Sequence, residues 1–382
     1  MRVLIFKPGE VNEYGYSLAV SLVQAGLNVT MVCDKDYNLE KHFNVVFKPK
    51  KIFYGYIKTE EKLVKGLKYI ISFIVLIFTL LKERPNIIHI QWFKFTYFEL
   101  FLFQFLKLFN IKIVYTCHDV IPPDASKLEV KFYSGMFNKM DLIFTHSEVS
   151  RKEIINQFHI DENKIRKITF GNYNIVADNY NKDKLKSRES LGLSTNDNII
   201  MFFGSIRKYK GLEILINAFR KTKEINGVQR LKLIIAGGGF CKFFRLANEH
   251  LDYIKNNRDI ILDIDYCDYN RMGQYFAATD LVVLPYKRIS MSAVLATSLS
   301  FGRPIIATEV GGLPEYIIPN ETGFIIPSND VDMMVQTIID AFKNKDQLLK
   351  MGRKCREYAD KIMSWEIVAK ETIEGYKYVL NK

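Results

Sequence analysis

The stretch ISMSAVLATSLSFGRPIIATEVGG, residues 289–312, contains the pattern that decides the fold. The apolar run 281–285 precedes it and predicts a buried strand, and the small and apolar residues 290–301 predict a helix. Gly302 ends this helix, and the apolar run 305–308 predicts a second strand. A strand, a helix and a strand in direct succession are typical of a parallel sheet with helical crossovers, so the sequence predicts an α/β fold.

The same alternation runs through both halves of the chain. In the first half it predicts strands at 2–7, 28–33, 45–48, 87–91, 112–117, 142–146 and 167–170, and helices at 14–25, 60–82, 96–109 and 148–157. In the second half it predicts strands at 199–203, 231–236, 260–263, 281–285, 305–308 and 324–326. The helices there are predicted at 211–224, 242–256, 270–278, 290–301, 329–344, 346–361 and 366–380.

A polar stretch between the halves, 172–196, interrupts the alternation and predicts a linker. We therefore predict two doubly wound, Rossmann-like domains, residues 1–180 and 181–363, followed by a terminal segment, 364–382. Ligands of such folds bind at the carboxyl ends of the strands, so we expect a cleft where the two domains face each other.

Composition limits the class of protein. The 382 residues are 48 % hydrophobic and 25 % charged, as in globular proteins. The five cysteines have no metal-ligand or redox spacing, which indicates reduced thiols in a cytosolic protein. The apolar run 69–81 is too short to span a bilayer. The amino-terminal apolar run is too short for a signal peptide. We therefore expect a cytoplasmic protein, either soluble or peripheral on the inner face of the membrane.

Positive charge is concentrated in one segment. The net charge is +12, and residues 41–84 contain ten basic residues and three glutamates beside the apolar run 69–81. Basic residues next to an apolar helix are typical of attachment to an anionic membrane surface. A solvated face of a core helix would produce the same pattern. Aromatic and basic residues do not alternate here and no nucleic-acid-binding motif is present, so nucleic acid is not an expected partner.

The start of the helix predicted at 290–301 has the character of an anion site. Its first turn contains Ser290 and Ser292 and no acidic residue, so unpaired N–H groups and hydroxyls meet the positive end of the helix dipole. The glycine turn 308–312 follows the next strand. A well-packed helix with serine caps is the alternative. Because no His/Cys cluster is present, we expect neither a metal ion nor a cofactor.

Two further turns carry suitable groups. Arg207 and Lys210 follow a strand and are three residues apart, so both could reach one anion, although a charged surface turn would look the same. The run LIIAGGGF, 233–240, ends a strand in three glycines, including Gly238. Glycine allows close approach of the backbone to a ligand, and it equally allows a tight turn.

In the first half, the run VYTCHDVIPPD, 114–124, places His118 just beyond a strand. This position favours a functional histidine, whereas a lone histidine is also compatible with a structural role. The strand–loop–helix segment 7–18 contains Gly9, where a ligand could approach the backbone.

These segments, in this order, resemble glycosyltransferase family 4, the retaining enzymes of the GT-B fold. The motifs that carry the resemblance are YTCHDVIP, FFGSIRKYKGLEILINAF, LIIAGGG, ATDLVVLPY and SFGRPIIATEVGGLPEYI. The segment SWEIVAKETIEGYKYVL is similar to the terminal helix that crosses back to the first domain in this family. The resemblance covers nearly the whole chain and implies a nucleotide-sugar donor bound by the second domain and an acceptor bound by the first.

The resemblance also implies roles for individual residues. Arg207 and Lys210 would hold the pyrophosphate of the donor, and His118 would be the active-site histidine. The donor would further contact Gly9, Gly204, Gly238, Asp265, Tyr266, Ser290, Met291, Ser292, Ala293, Thr297 and Glu309. Two family features are absent. The Glu-x7-Glu acids are replaced by Ile289 and Thr297, and Ser205 follows the glycine where arginine is usual.

We interpret the chain as a retaining glycosyltransferase that acts on a saccharide or lipid-linked acceptor, as in the synthesis of cell-surface polysaccharides. The absent acids leave a second interpretation open, a catalytically silent subunit that binds nucleotide sugars or serves as a scaffold. An epimerase or a phosphorylase of related fold is less favoured, because few acid–base residues and no pyridoxal lysine are evident.

Overall fold

The structure is a computed structural model that describes all residues except 9–12, 36–42, 44–45, 54–61, 94–95, 122–125, 181, 238–245 and 266, and only the backbone of 62, 63, 65, 96–98, 102 and 127. The chain forms two compact units. The first comprises Met1–Gly171 and Ser364–Lys382, and the second comprises Asn172–Met363. Each unit contains one parallel sheet flanked by helices, so the α/β prediction is confirmed.

The sheet of the first unit has seven strands in the order β3-β2-β1-β4-β5-β6-β7. The strands are β1 Arg2–Phe6, β2 Asn28–Asp34, β3 Lys50–Phe53, β4 Ile87–Ile90, β5 Lys112–Cys117, β6 Leu142–Thr145 and β7 Ile165–Lys167. The strand order reverses between β1 and β4, which places the topological switch point, where doubly wound folds bind ligands, beside these two strands.

The helices among the described residues of the first unit are α1 Glu13–Gln24, α2 Lys62–Glu83, α3 Thr96–Lys107, α4 Lys127–Lys139, α5 Glu148–Phe158 and α14 Trp365–Leu380. The apolar strands are buried on both faces because helices cover both. The terminal helix α14 packs against α1 within this unit. Gly375 of α14 allows this helix to lie close to β6, since a β-carbon there would be 2.5 Å from the Phe144 ring.

The sheet of the second unit has six strands in the order β10-β9-β8-β11-β12-β13. They are β8 Asn198–Phe203, β9 Leu231–Ala236, β10 Ile260–Asp263, β11 Leu281–Leu284, β12 Ile305–Thr308 and β13 Gly323–Ile326. The helices are α6 Asn174–Tyr180, α7 Lys184–Ser190, α8 Leu212–Glu224, α9 Asn248–Asn256, α10 Tyr269–Ala278, α11 Ala293–Ser300, α12 Val331–Lys343 and α13 Lys345–Lys361. Here the switch point lies between β8 and β11.

The boundary between the units lies after Gly171, whereas the sequence predicted it after 180. The amide of Asn172 donates to the Met363 carbonyl at 2.9 Å, and the amide of Tyr173 donates to Ser300 Oγ at 2.9 Å. A β-carbon at Gly273 would lie 1.9 Å from the Tyr180 carbonyl, so α6 and α10 approach each other closely. These contacts attach the predicted linker to the second unit, where it forms α6 and α7.

Two predicted strands are displaced. The strand predicted at 45–48 is wrong over its described part, because Val46 and Phe47 donate their amides to the Tyr16 hydroxyl, and β3 begins at Lys50. The strand predicted at 167–170 occupies Ile165–Lys167 instead. The chain leaves the sheet there because the Thr169 amide donates to the Glu371 carboxylate on α14 at 2.6 Å.

Candidate functional site

The exit of β8 brings a lysine and a helix start to one point. Gly204 has φ +101°, and a β-carbon built there would lie 3.2 Å from Lys210 Nζ and 3.3 Å from Val294 Cγ2 in the first turn of α11. The positive φ favours glycine after β8, and these two side chains lie close to its Cα. The predicted Gly204, Lys210 and start of α11 are thus neighbours.

The residue that follows the neighbouring strand β9, Gly237, packs directly against Gly204. Gly237 has φ +127°, and a β-carbon there would lie 2.6 Å from the Gly204 nitrogen. The Gly204 amide donates to the Ala236 carbonyl at 2.9 Å, so the two exits are held together by a backbone hydrogen bond. The predicted Gly238 follows directly and lies outside the described residues.

Lys210 lies in a turn whose Tyr209 carbonyl accepts the Lys287 amide, beyond the end of β11, at 2.7 Å. Lys208–Lys210 form a 3-10 helix preceded by Arg207, whose carbonyl accepts the Lys210 amide at 2.9 Å. Lys210 is buried, with its ammonium 5.5 Å from the centre of the Tyr286 ring. Arg207 is half-buried in the same turn. The turn therefore holds a buried cation beside the helix start at the carboxyl edge of the sheet.

Helix α11 begins later than predicted, at Ala293. Ser292 is its N-cap, and its Oγ accepts the Leu295 amide at 3.4 Å. Ser290 and Met291 therefore precede the helix, because the Ser290 carbonyl accepts the Gly312 amide at 3.0 Å and is held by the next loop. The first turn contains no acidic residue, so the helix dipole and Lys210 act on an anion in the same sense.

Three other residues predicted to contact the donor are described, and none of them forms a hydrogen bond with Gly204 or Lys210. The Thr297 hydroxyl donates to the Ala293 carbonyl at 2.8 Å, within its own helix. Glu309 is exposed, with its amide bonded to the Ile326 carbonyl at 2.9 Å. Asp265 is exposed beyond β10. Tyr266 lies outside the described residues, as does Gly9 in the first unit.

The sequence did not predict the group that anchors the loop after β10. Asp263 is buried at the end of β10 and accepts hydrogen bonds from the Tyr275 hydroxyl and the Arg271 guanidinium. Burial and this carboxylate raise the pKa of Tyr275 to about 12. The loop that carries Asp265 is therefore tied to α10 at its start.

In the first unit His118 lies just beyond β5, beside the end of β4. His118 Nε2 donates to Gln91 Oε1 at 3.0 Å, and its ring stacks on Trp92 at 5.1 Å and 10°. Tyr14 meets the same ring edge-on, with centroids 4.8 Å apart. Burial, with a smaller contribution from His146, holds the pKa of His118 well below its ordinary value. His118 is therefore a neutral imidazole.

A buried chain of hydrogen bonds continues from His118 to the terminal helix. Gln91 Nε2 lies 3.1 Å from His89 Nε2, and His89 Nδ1 lies 2.6 Å from the Tyr376 hydroxyl. Because the Gln91 carbonyl oxygen faces His118, the His118 proton is on Nε2 and the lone pair is on Nδ1. The motif HIQW, 89–92, at the end of β4 was the available signal for these partners, whereas Tyr376 had none.

A metal centre is not evident in the described part of the chain. Among those residues no group of three or more His, Cys, Asp or Glu side chains is placed to hold an ion. Independence of a metal stays a prediction.

Acid should destabilise the first unit. Burial lowers the pKa of His89 and of His146 from 6.5 to about 3. Between these values the unfolded chain binds protons that the folded chain does not, so stability falls as pH falls. Each histidine should cost roughly 1.4 kcal/mol of unfolding free energy per pH unit below 6.5.

Urea unfolding at pH 7, 6, 5 and 4 measures this slope. His89→Gln should flatten it, and His159→Gln, at an exposed position, should leave it unchanged. Equal slopes for these two variants would contradict the assignment of a neutral, buried His89.

Comparison with known proteins identifies the family to which this chain is similar. The family model for glycosyl transferases group 1 matches residues 183–362, and the model for glycosyltransferase family 4 matches residues 11–171. A glycosyltransferase of Methanocaldococcus jannaschii is 24 % identical over 270 residues, which are 69 % of this chain and 66 % of the relative. The D-inositol 3-phosphate glycosyltransferase of Corynebacterium efficiens is 21 % identical over 247 residues, 63 % of this chain and 57 % of the relative. The matched parts thus span less than two thirds of both relatives.

Among solved structures, that of Anabaena HepE in complex with UDP-glucose aligns with a TM-score of 0.74 at 16 % identity and covers 99 % of both chains. At this identity the likeness concerns the fold. Since the two family models together span most of the chain, the protein belongs to glycosyltransferase family 4 and has the GT-B fold.

Proposed function

We propose that the protein is a glycosyltransferase that transfers a sugar from a nucleotide-sugar donor with retention of the anomeric configuration. The observation that carries the proposal is the convergence of Lys210 and the acid-free start of α11 at Gly204. A buried ammonium and a helix dipole beside glycine backbone form an environment for a diphosphate. The complex of Anabaena HepE with UDP-glucose, on the same fold, supports a donor of this class.

The chemical demand on this site is charge stabilisation. When the bond between the anomeric carbon and the diphosphate oxygen breaks, the electron pair stays on the nucleoside diphosphate. Lys210, Arg207 and the α11 amides would neutralise that charge in a partly dry site. These groups supply positive charge without a metal ion, so we propose that the enzyme needs none.

His118 is proposed to contact the transferred sugar. Its neutral state suits hydrogen bonding to a hydroxyl rather than ion pairing, because the imidazole is uncharged at pH 7. The stack on Trp92 and the bond to Gln91 fix the orientation of the ring. A histidine held in this way positions a sugar with little loss of conformational entropy.

The absent acids limit how the donor is held. Ile289 and Thr297 stand where the family has glutamates, so no carboxylate from these positions can bond the sugar or the ribose. The Thr297 hydroxyl is already directed to Ala293. Donor affinity should therefore depend more heavily on the diphosphate contacts, and a subunit that binds the donor without catalysis is the second candidate.

The first unit also presents an apolar surface compatible with a membrane-bound acceptor. Exposed apolar side chains follow a helical stripe along α2 and continue onto α3: Leu67, Ile70, Ile74, Phe78, Phe101, Phe105 and Leu108. Patches of this kind mark interaction sites in monomeric proteins. Exposed Lys48, Lys50 and Lys51 lie just before α2 in the chain. None of the described helices combines the length and apolarity needed to cross a bilayer. We propose peripheral attachment and a saccharide or lipid-linked acceptor.

The donor site is tested by Lys210→Ala with Lys208→Ala as the matched control. Lys208 is exposed in the same turn, so its loss removes equal charge without touching the site. Lys210→Ala should weaken binding of UDP, or of whichever nucleoside diphosphate in a panel binds best, by about tenfold or more. Calorimetric titration gives the affinities. Equal affinities for the two variants would overturn the diphosphate assignment.

His118→Ala should lower turnover of the nucleotide sugar about a hundredfold while the melting temperature changes little. His159→Ala, at an exposed position, is the control. Thermal shift with nucleotide sugars shows whether the parent protein binds a donor, and an assay of transfer and hydrolysis shows whether it is an enzyme. A parent protein that binds a donor but transfers and hydrolyses nothing would be the silent subunit. A collapse of the melting temperature in His118→Ala would show that the histidine is structural.

Membrane attachment is tested by co-sedimentation with phosphatidylglycerol vesicles. Binding should weaken as salt rises, and Lys48, Lys50 and Lys51→Glu together should reduce it at least tenfold, since each basic residue contributes on the order of 1 kcal/mol. The control variant makes the same change of charge on the second unit, by replacing the exposed residues Lys343, Lys354 and Lys361 with glutamate. Equal loss in both variants, or no binding at low salt, would contradict attachment through this surface.

A further inference from the structure

The second unit contains a cavity at the edge of its sheet opposite to Lys210. It has a volume of about 510 Å³ and is lined at the starts of β8, β11 and β12 by Asn198, Asp280 and Pro304. Gly204 follows the other end of β8, so the two regions are separated by the length of a strand, roughly 15–20 Å. The cavity is thus distinct from the proposed donor site.

Asp280 is one of two acidic residues that line the cavity, and both of its oxygens already accept hydrogen bonds. Its Oδ1 accepts from Lys184 Nζ at 2.6 Å, and its Oδ2 accepts from Arg188 Nη2 at 2.7 Å. The Ile199 amide also donates to Oδ2, at 2.9 Å. One carboxylate therefore already balances two cations.

Asp197, the other acidic residue, is engaged as well. Its Oδ2 accepts the Ser194 amide at 2.7 Å, and its Oδ1 lies 2.8 Å from Arg230. Both carboxylates that line the cavity are therefore paired with cations other than Arg303.

Arg303, unlike Lys184 and Arg188, forms no ion pair within the described residues. It lines the cavity between Gly302 and Pro304, and its Nε is buried with no hydrogen-bond partner among the described residues. Burial lowers its pKa from the ordinary value, Asp280 opposes this shift, and Arg188 adds to it. Because a guanidinium stays protonated, the structure holds a buried positive charge beside two others.

Two exposed basic residues add positive charge to the lining of the cavity. Lys345 and Arg353, both exposed on α13, line it, and neither forms an ion pair within the described part of the chain. The opposite wall is apolar and includes Phe301, Phe342 and Leu348. The volume is in the range of small-molecule sites, which are mostly apolar with a few polar groups that fix orientation.

We propose that this cavity binds a small phosphate-bearing molecule, with its phosphate on Arg303, Lys345 and Arg353 and its sugar or ring portion against the apolar wall. A phosphate dianion would compensate the unmatched guanidinium and could accept two parallel hydrogen bonds from it. Inorganic phosphate and phosphorylated metabolites share this chemistry. A metabolite should bind more tightly, because only it can bury surface against Phe301 and Phe342.

The experiment titrates the full chain with inorganic phosphate, glucose 6-phosphate and AMP at constant ionic strength. All titrations use the Lys210→Ala background, so that phosphate binding at the donor site is weakened, and each Arg303 variant is compared with its Arg303 parent in that same background. Arg303→Met should weaken the tightest probe by about tenfold or more. Its melting temperature without phosphate should not fall, because an uncompensated buried charge is removed. Unchanged affinity in Arg303→Met, or no binding of any probe, would overturn the proposal.

A second variant does not depend on a buried substitution. Lys345→Ala with Arg353→Ala should weaken the same probe severalfold, whereas Lys350→Ala with Lys361→Ala, exposed on the same helix away from the cavity, should not. Equal affinities for these two pairs would overturn the site. Donor binding in the Lys210 parent is measured separately, so failure of this site is distinguishable from failure of the proposed function.

Discussion

The backbone contact between Gly204 and Gly237 is the constraint on which the rest of the second unit's site depends. A β-carbon on Gly237 would overlap the Gly204 nitrogen, at 2.6 Å, and a β-carbon on Gly204 would occupy the space beside Lys210 and Val294. Two strand exits can therefore converge only without side chains. The convergence leaves backbone, a helix start and a buried ammonium at one edge of the sheet, and this combination favours an anion over a neutral ligand.

Charge is organised differently at the two edges of that sheet. At the carboxyl edge the absence of acids in the first turn of α11 keeps the potential positive. At the opposite edge acids are present, but Asp280 is already bound to Lys184 and Arg188, and Arg303 Nε has no hydrogen-bond partner among the described residues. Unmatched positive charge in a partly dry environment is costly, and anion binding is a general way to offset that cost. The same rule thus indicates ligands at two separate places.

In the first unit, the candidate site residue His118 is held by a chain of hydrogen bonds rather than by charged groups. Burial keeps His89 and His146 neutral, and the bonds from Tyr376 through His89 and Gln91 reach His118. A neutral imidazole has one donor and one acceptor, so its orientation and tautomer follow from its partners. The terminal helix α14 thereby contributes to the state of a histidine that lies nearly 260 residues earlier in the chain.

The sequence by itself determined the α/β class, nearly all of the strands, and the turns that carry Gly204, Lys210 and His118, because these depend on local periodicity and on residue types that follow strands. The tertiary structure decided the features that depend on contacts between residues far apart in the chain. The position of the domain boundary follows from hydrogen bonds of Asn172 and Tyr173 to residues far along the chain, and the late start of α11 follows from the bond between Ser290 and Gly312. The partners of His118 and the isolation of Arg303 likewise arise only when distant segments meet. Hydrogen bonding and charge compensation depend on distances in space, and spacing along the chain does not encode those distances.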